Sequence, residues 1–204
     1  MRHRLASVVG AALSLALTLN ASTPASHVLR GPILAVPGDI QVGDWIFRGG
    51  ISSDSRWIRA FSGSAFSHVG IVVQTTPHIL IAHATTDDDP TNPDQVIFTG
   101  WDAFASAEVA DRLAVARPLF MNAAQRIASA HHAAARLGER FLLTGRNSSP
   151  LYCTTLLLDA VQAQTDFNPS WQLLDLPVLG GEYLFPKALA QTDLHWIAGT
   201  ADAP

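Results

Sequence analysis

Cys153 is the only cysteine among the chain's 204 residues. It therefore cannot close an intrachain disulfide or build a thiolate zinc cluster. It stands in Ser149-Pro150-Leu151-Tyr152-Cys153-Thr154-Thr155, and the residues that follow, Leu156, Leu157, Ala160 and Val161, predict a helix that begins near Pro150 to Cys153. Unpaired N–H groups and the positive end of the helix dipole favour a thiolate at such a start. The same N–H groups can receive a developing oxyanion. A reactive thiol needs a base beside it, and the base needs an orienting partner. Two histidines offer themselves. His68 opens the run HVGIVVQT, and His83 lies near the end of a second run from Ile79 to Ala84. On residue types alone, a buried apolar cysteine and hydrogen-bonded structural histidines remain open readings.

The elements that must position these three residues can be read in outline. The β-branched run from His68 to Thr75 and the run from Ile79 to Ala84 predict two strands, and Thr76-Pro77-His78 between them fits a hairpin turn. Strands joined in this way would carry both imidazoles to one edge of a sheet. Residues 45–48 and 113–117 predict further strands, and residues 96–98 a strand that pairs after the polar loop 85–94. Trp57, Ile58 and Phe61 predict a helix over 53–62 capped by Ser53 or Asp54, and Thr99 a cap for a short helix through Phe104. Asn122 is expected to cap a helix over 123–137 that Gly138 ends, with an apolar stripe of Ala123, Ile127, Ala130, Ala134 and Leu137. Residues 166–204 read as irregular, with a short helix after Pro186.

Composition bounds the rest. Apolar residues make up 48% and charged residues 15%, which supports a packed core and excludes global disorder. The net charge of −4 leaves no basic surplus for phosphates, so no nucleic-acid partner is expected. Arg2, His3 and Arg4, an apolar run from Leu5 to Leu19 and small residues around Ala21 to Ser26 have the order of a secretory signal. Residues 1–25 are therefore read as a signal peptide cleaved after Ala25 or Ala21, and residues 31–204 as one α+β domain. Export to a periplasmic or extracellular place follows. The alternative is an uncleaved membrane anchor, for which the apolar run is shorter than the roughly 18–20 residues that span a bilayer.

Three segments in order resemble a known family: Gly43-Asp44-Trp45-Ile46-Phe47-Arg48, Ser67-His68-Val69-Gly70-Ile71-Val72-Val73 and Ile81-Ala82-His83-Ala84. The series is similar to that of the NlpC-type papain-like cysteine hydrolases. In their usual order the cysteine comes first. Here it follows the histidines, in Tyr152-Cys153-Thr154-Thr155-Leu156-Leu157, which resembles the circularly permuted YiiX/YaeF-like subgroup and its relatives of the lecithin retinol acyltransferase type. The resemblance covers about residues 38–160, with a weaker echo at Tyr183-Leu184-Phe185-Pro186. It implies a circularly permuted papain-like fold with an antiparallel sheet packed against helices. It implies Cys153 as nucleophile, His68 as base and His83 as the orienting third member. Members of the subgroup often carry Glu at the place of His83, and Thr154 and Thr155 stand where Ser and Glu are usual.

The chemistry expected from this resemblance is acyl transfer through a thioester. His68 takes the thiol proton, or the two rest as a thiolate–imidazolium pair, and Cys153 attacks an acyl carbon. Its own N–H holds the oxyanion, with Tyr152 as a helper. The first expectation is an exported hydrolase cleaving an amide bond in a peptide or cell-wall peptide. The second is a lipid acyltransferase or thioesterase, and the third a non-catalytic binding module. No metal or other cofactor is expected, and the site's place is near membrane or cell wall.

Other residues receive plainer readings. His131 and His132 belong to a solvated helix face. Asp87, Asp88 and Asp89, with Asn92 and Asp94, do not match an EF-hand loop and read as a solvated loop bordering the cleft. Arg48, Arg56 and Arg59 read as surface ion-pairing residues, and the five tryptophans as core or cleft wall.

Overall fold

The computed structural model describes residues 31–175 and 180–201, so the signal-peptide reading lies outside the described residues. Among the described residues no helix is long and apolar enough to cross a membrane. The architecture is α+β, an antiparallel sheet packed against helices. Six strands form the main sheet: β1 (Trp45–Gly50), β2 (His68–Gln74), β3 (Leu80–Thr85), β4 (Gln95–Gly100), β5 (Ala110–Pro118) and β8 (Leu194–Gly199), in the order β4-β3-β2-β1-β5-β8. A small hairpin of β6 (Gln172–Leu174) and β7 (Gly181–Tyr183) stands apart. The helices are α1 (Ser53–Ser62), α2 (Trp101–Phe104), α3 (Ala123–Ala134), α4 (Cys153–Gln162) and α5 (Pro186–Ala190).

Strand alternation sorts the side chains into two cores. Trp45, Phe47, Val69, Ile71, Ala82 and Ala84 pack with Leu156, Leu157, Ala160 and Val161 of α4 and Ala130 and Ala133 of α3. The opposite set, Ile46, Val72, Ile81, Leu113 and Val115, is covered by Trp101 and Phe104 of α2, with Ile33 and Leu34 against them. All six residues of β1 are buried, so Arg48 lies inside the molecule.

Several local expectations are corrected. Ser52, not Ser53 or Asp54, caps α1, through Ser55 N–H at 3.2 Å. Asn122 caps α3 as expected, but the helix ends at Ala134, and Ile127 and Leu137 are exposed. Its buried face is Ser129, Ala130 and Ala133. Ser129 turns its hydroxyl onto Arg126 O at 2.8 Å, and so enters an apolar contact without an unmet polar group. Pro150 is not in the first turn of α4. Ser148 closes a separate 3-10 turn and Ser149 takes a left-handed conformation, which leaves Tyr152 as the residue before the helix. The segment 166–204 is less irregular than expected. It supplies α5 as anticipated, but also the β6–β7 hairpin and β8, which completes the sheet edge beside β5.

Candidate active site

Cys153 is the first residue of α4, and the start of the helix is tied down on two sides. Thr155 Oγ1 accepts from Tyr152 N–H at 2.8 Å and donates to Tyr152 O at 3.1 Å. Thr154 Oγ1 donates to Leu184 O at 2.6 Å, and Leu184 N–H donates to Tyr152 Oη at 2.8 Å. The two threonines thus hold the turn that presents the thiol, and the Tyr152 hydroxyl is engaged with the Leu184 backbone. Cys153 is buried among apolar side chains. Burial pushes its thiol up to about 11, although the N–H groups of Val69, Thr154 and Cys153 itself and the charge of Arg48 pull the other way. The backbone N–H groups at the helix start favour the thiolate as expected, and desolvation opposes them.

His68 and His83 meet at the adjoining ends of β2 and β3. The two strands pair at Ile71↔Ala82, Val72↔Ile81 and Gln74↔Leu80. Beyond Ile71↔Ala82, at the end away from the turn, His68 Nε2 and His83 Nδ1 are 2.8 Å apart, with the rings edge to face. Both rings rest on Phe104, at 5.9 and 5.1 Å between centroids. Cys153 comes to the same end of β2 from the helix side, since the N–H of Val69, the residue after His68, acts on its sulfur. Gly70 makes room for this arrangement. A Cβ there would lie 2.5 Å from Ile81 Cγ2 and 3.4 Å from the Cβ of His83.

Three residues around the pair were not read as site residues. Thr99 does not cap α2, whose cap is Gly100 without a side-chain bond. Its Oγ1 lies 2.7 Å from His83 Nε2. Asp88 does not belong to a solvated loop. Its carboxylate is largely buried, 2.6 Å from Arg48 Nη2 and 3.6 Å from His83 Nδ1. Arg48 is no surface residue, and its guanidinium carbon lies 4.6 Å above the Phe104 ring. The sequence held one signal for Arg48: a charge in a strand whose neighbours Trp45, Ile46 and Phe47 are apolar on both faces must be buried and paired. Burial, followed by the positive charge of Arg48, pushes His68 well below its ordinary value. Burial holds His83 at about 3, with Asp88 opposing and Arg48 adding to the effect. Thiol and imidazoles are thus all held in their neutral forms.

A groove of about 470 Å³ leads to the sulfur. Its walls include Trp57, Ile58 and Phe61 of α1, Tyr152, and the segment from Tyr183 to Pro186. The apolar stripe of α1 thus faces this groove rather than the core. Trp57 is 62% exposed and stacks on Phe61 at 5.0 Å between centroids. Arg59 pairs with Asp111 as expected, whereas Arg56 bonds the Ile51 carbonyl rather than an acid. His131 and His132 are exposed.

No protein-family model matches the chain, and no curated protein matches it. Among solved structures, the chain is similar to the crystal structure of metalloprotein YiiX from Escherichia coli O157:H7, also described as DUF1105. The TM-score is 0.61 at 19% identity, over 80% of this chain and 98% of that one. The two share a fold.

Proposed function

We propose that the protein is a cysteine-dependent acyl-transfer enzyme in which Cys153 is the nucleophile, His68 the base and His83 its orienting partner. The observation that carries the reading is the position of the sole thiol. It lines a groove at the start of a helix, beside the beginning of the strand that carries His68. The ring nitrogen of His68 not engaged with His83 takes the thiol proton as the sulfur attacks an acyl carbon. The C–S bond forms, the carbonyl π electrons move to oxygen, and the backbone N–H of Cys153 meets the developing charge. His68 then protonates the leaving amine or alcohol, and the C–N or C–O bond breaks. Water, or an acceptor alcohol or amine, resolves the thioester. Burial favours the neutral thiol and imidazole, so in this reading proton transfer accompanies attack.

Of the substrate classes expected from sequence, the groove favours a lipid acyl chain over a peptide. Its walls are mostly apolar, with Trp57, Ile58, Phe61, Leu143 and Leu174, and Asp54, Ser67, Tyr152 and Tyr183 are the polar residues among them. An extended peptide leaves a backbone donor and acceptor at each residue, and these need partners when buried. An acyl chain needs none. The reading includes export, with the groove working on amides or esters of acyl lipids near a membrane. A series of p-nitrophenyl esters from acetate to dodecanoate tests it. kcat/KM should rise with each added pair of methylenes until the groove is filled, by up to roughly tenfold per pair at about 0.8 kcal/mol per buried CH₂. A flat series, with peptide amides turned over faster, would contradict it.

A metal reading is also raised by the arrangement. His68, His83 and Asp88 bring three ligand-type atoms within 4.8 Å of one another, and the similar Escherichia coli protein is named a metalloprotein. The residues as placed do not fit an ion. Two imidazole nitrogens on one tetrahedral Zn²⁺ stand about 3.3 Å apart, whereas these are 2.8 Å apart and share a hydrogen bond. Asp88 is engaged by Arg48, a fixed cation inside the set. No step is therefore routed through a metal.

A further inference from the structure

We propose that Arg48 is a positioning residue for the reaction: by holding Asp88, it keeps the ring proton of His83 on Nε2 and so leaves His68 free to act as base. The proposal rests on the acyl-transfer reading for its consequence, but its structural content stands on three contacts. His83 is fully buried, and its two nitrogens face different partners: Nε2 faces Thr99 Oγ1 at 2.7 Å, and Nδ1 faces His68 Nε2 at 2.8 Å. A neutral imidazole has one N–H, and its position is set by what each nitrogen meets.

With the proton on Nε2, His83 donates to Thr99, and its Nδ1 lone pair accepts from His68 Nε2–H. His68 then carries its lone pair on Nδ1, the nitrogen that the acyl-transfer reading assigns to the thiol proton. With the proton on Nδ1, the sequence reverses. His83 donates to His68 Nε2, His68 carries its own proton on Nδ1, and that nitrogen has no lone pair to offer as base.

Asp88 Oδ2, 3.6 Å from His83 Nδ1, is the group that would draw the proton to the wrong nitrogen. A free carboxylate is an acceptor only, and the nearest ring nitrogen it could engage is Nδ1. Arg48 prevents this. Its Nη2 takes the same Oδ2 at 2.6 Å, and its plane is fixed over Phe104, the ring on which both histidines rest. The Arg48 Nε has no hydrogen-bond partner among the described residues, so the carboxylate and the aromatic face are what hold the guanidinium. A buried cation kept at this cost sits where it can neutralise the one acid near the histidine pair.

The test is the tautomer of His83, read from two-bond ¹H–¹⁵N correlations of the full chain at neutral pH. The wild type should show Nε2–H. Arg48→Met, which keeps an apolar stem over Phe104, should move the proton to Nδ1 and lower turnover of an acyl ester by roughly 10² or more, as wrong-tautomer triads do. Arg48→Met combined with Asp88→Ala should return the proton to Nε2 and recover at least tenfold of the loss, whereas a purely structural role for Arg48 predicts no recovery. Nδ1–H in the wild type, or Nε2–H unchanged in Arg48→Met, would overturn the proposal, and the wild-type measurement needs no variant to fold. The tautomer is independent of the thiol. If it behaves as stated while Cys153→Ala retains full turnover, the acyl-transfer reading fails and the proton-positioning role of Arg48 stands.

Discussion

His68 and His83, fifteen residues apart in sequence, are joined by a 2.8 Å contact between Nε2 and Nδ1 at the adjoining ends of two strands. In the proposed mechanism that contact makes one imidazole the orienting partner of the other. A neutral ring with its proton on the far nitrogen accepts as a carboxylate does.

Thr99 completes the relay from behind. Thr99→Val should leave the buried His83 Nε2 without a partner and destabilise the fold by about 1–3 kcal/mol. It should also lower kcat, whereas Thr99→Ser should preserve both. Chemical denaturation and ester turnover of the two variants provide the check.

Gly70 should not tolerate a side chain. In Gly70→Ala the added methyl meets Ile81 Cγ2 at 2.5 Å and touches the His83 side chain. The expected cost is about 1–3 kcal/mol of overpacking, together with loss of activity as β3 moves off β2. The chemical-denaturation midpoint and the ester turnover of the purified variant measure it.

Both histidines are buried as neutral rings with their affinities for protons lowered, His83 to about 3. In the unfolded chain each titrates near 6.5. Below that pH the unfolded chain takes up protons that the folded chain does not, so stability is fully present above about 6.5 and is lost as the pH falls toward 3. The slope should approach about 1.4 kcal/mol per pH unit for each histidine. Denaturant titrations between pH 7 and 4 should show it, and His83→Gln should flatten it.

The thiol should be slow to alkylate in the free protein. Burial sets Cys153 at about 11, so the iodoacetamide rate should still be rising above pH 9 and should lie below that of a model thiol at pH 7. A plateau already reached below pH 7 would indicate a resting thiolate–imidazolium pair instead.

Trp57 and Phe61 should act on chain length rather than on chemistry. Trp57→Ala removes an exposed wall of the groove. It should reduce kcat/KM for long acyl esters severalfold and leave acetate esters unchanged, a comparison that one chain-length series settles.

The parts of this site that could be read from sequence are those with a period or an order. The β-branched run HVGIVVQT and the run ILIAHA mark two strands, and the short turn between them can bring the histidines to one edge. The single cysteine before Leu156 and Leu157 marked a helix start. What stayed hidden depended on tertiary position. Asp87, Asp88 and Asp89 are chemically alike, and only the fold turns Asp88 inward onto Arg48. Thr99 looked like a helix cap because a hydroxyl before Trp101 is a good one, but His83 competes for it across the sheet. β8 was missed because Leu194–Gly199 is short and alternates poorly, and it is held by its pairing with β5. Desolvation of Cys153 depends on packing with β2 and α4, which no local pattern encodes.

The central claim is that Cys153 forms a covalent acyl intermediate. Purified protein mixed with a slowly turned-over medium-chain p-nitrophenyl ester, quenched in acid and weighed intact, tests it directly. The account predicts a mass increase of one acyl group, mapped to Cys153, sensitive to hydroxylamine and absent from Cys153→Ala. Turnover of the ester by Cys153→Ala at the wild-type rate, or an adduct on another residue, would contradict it.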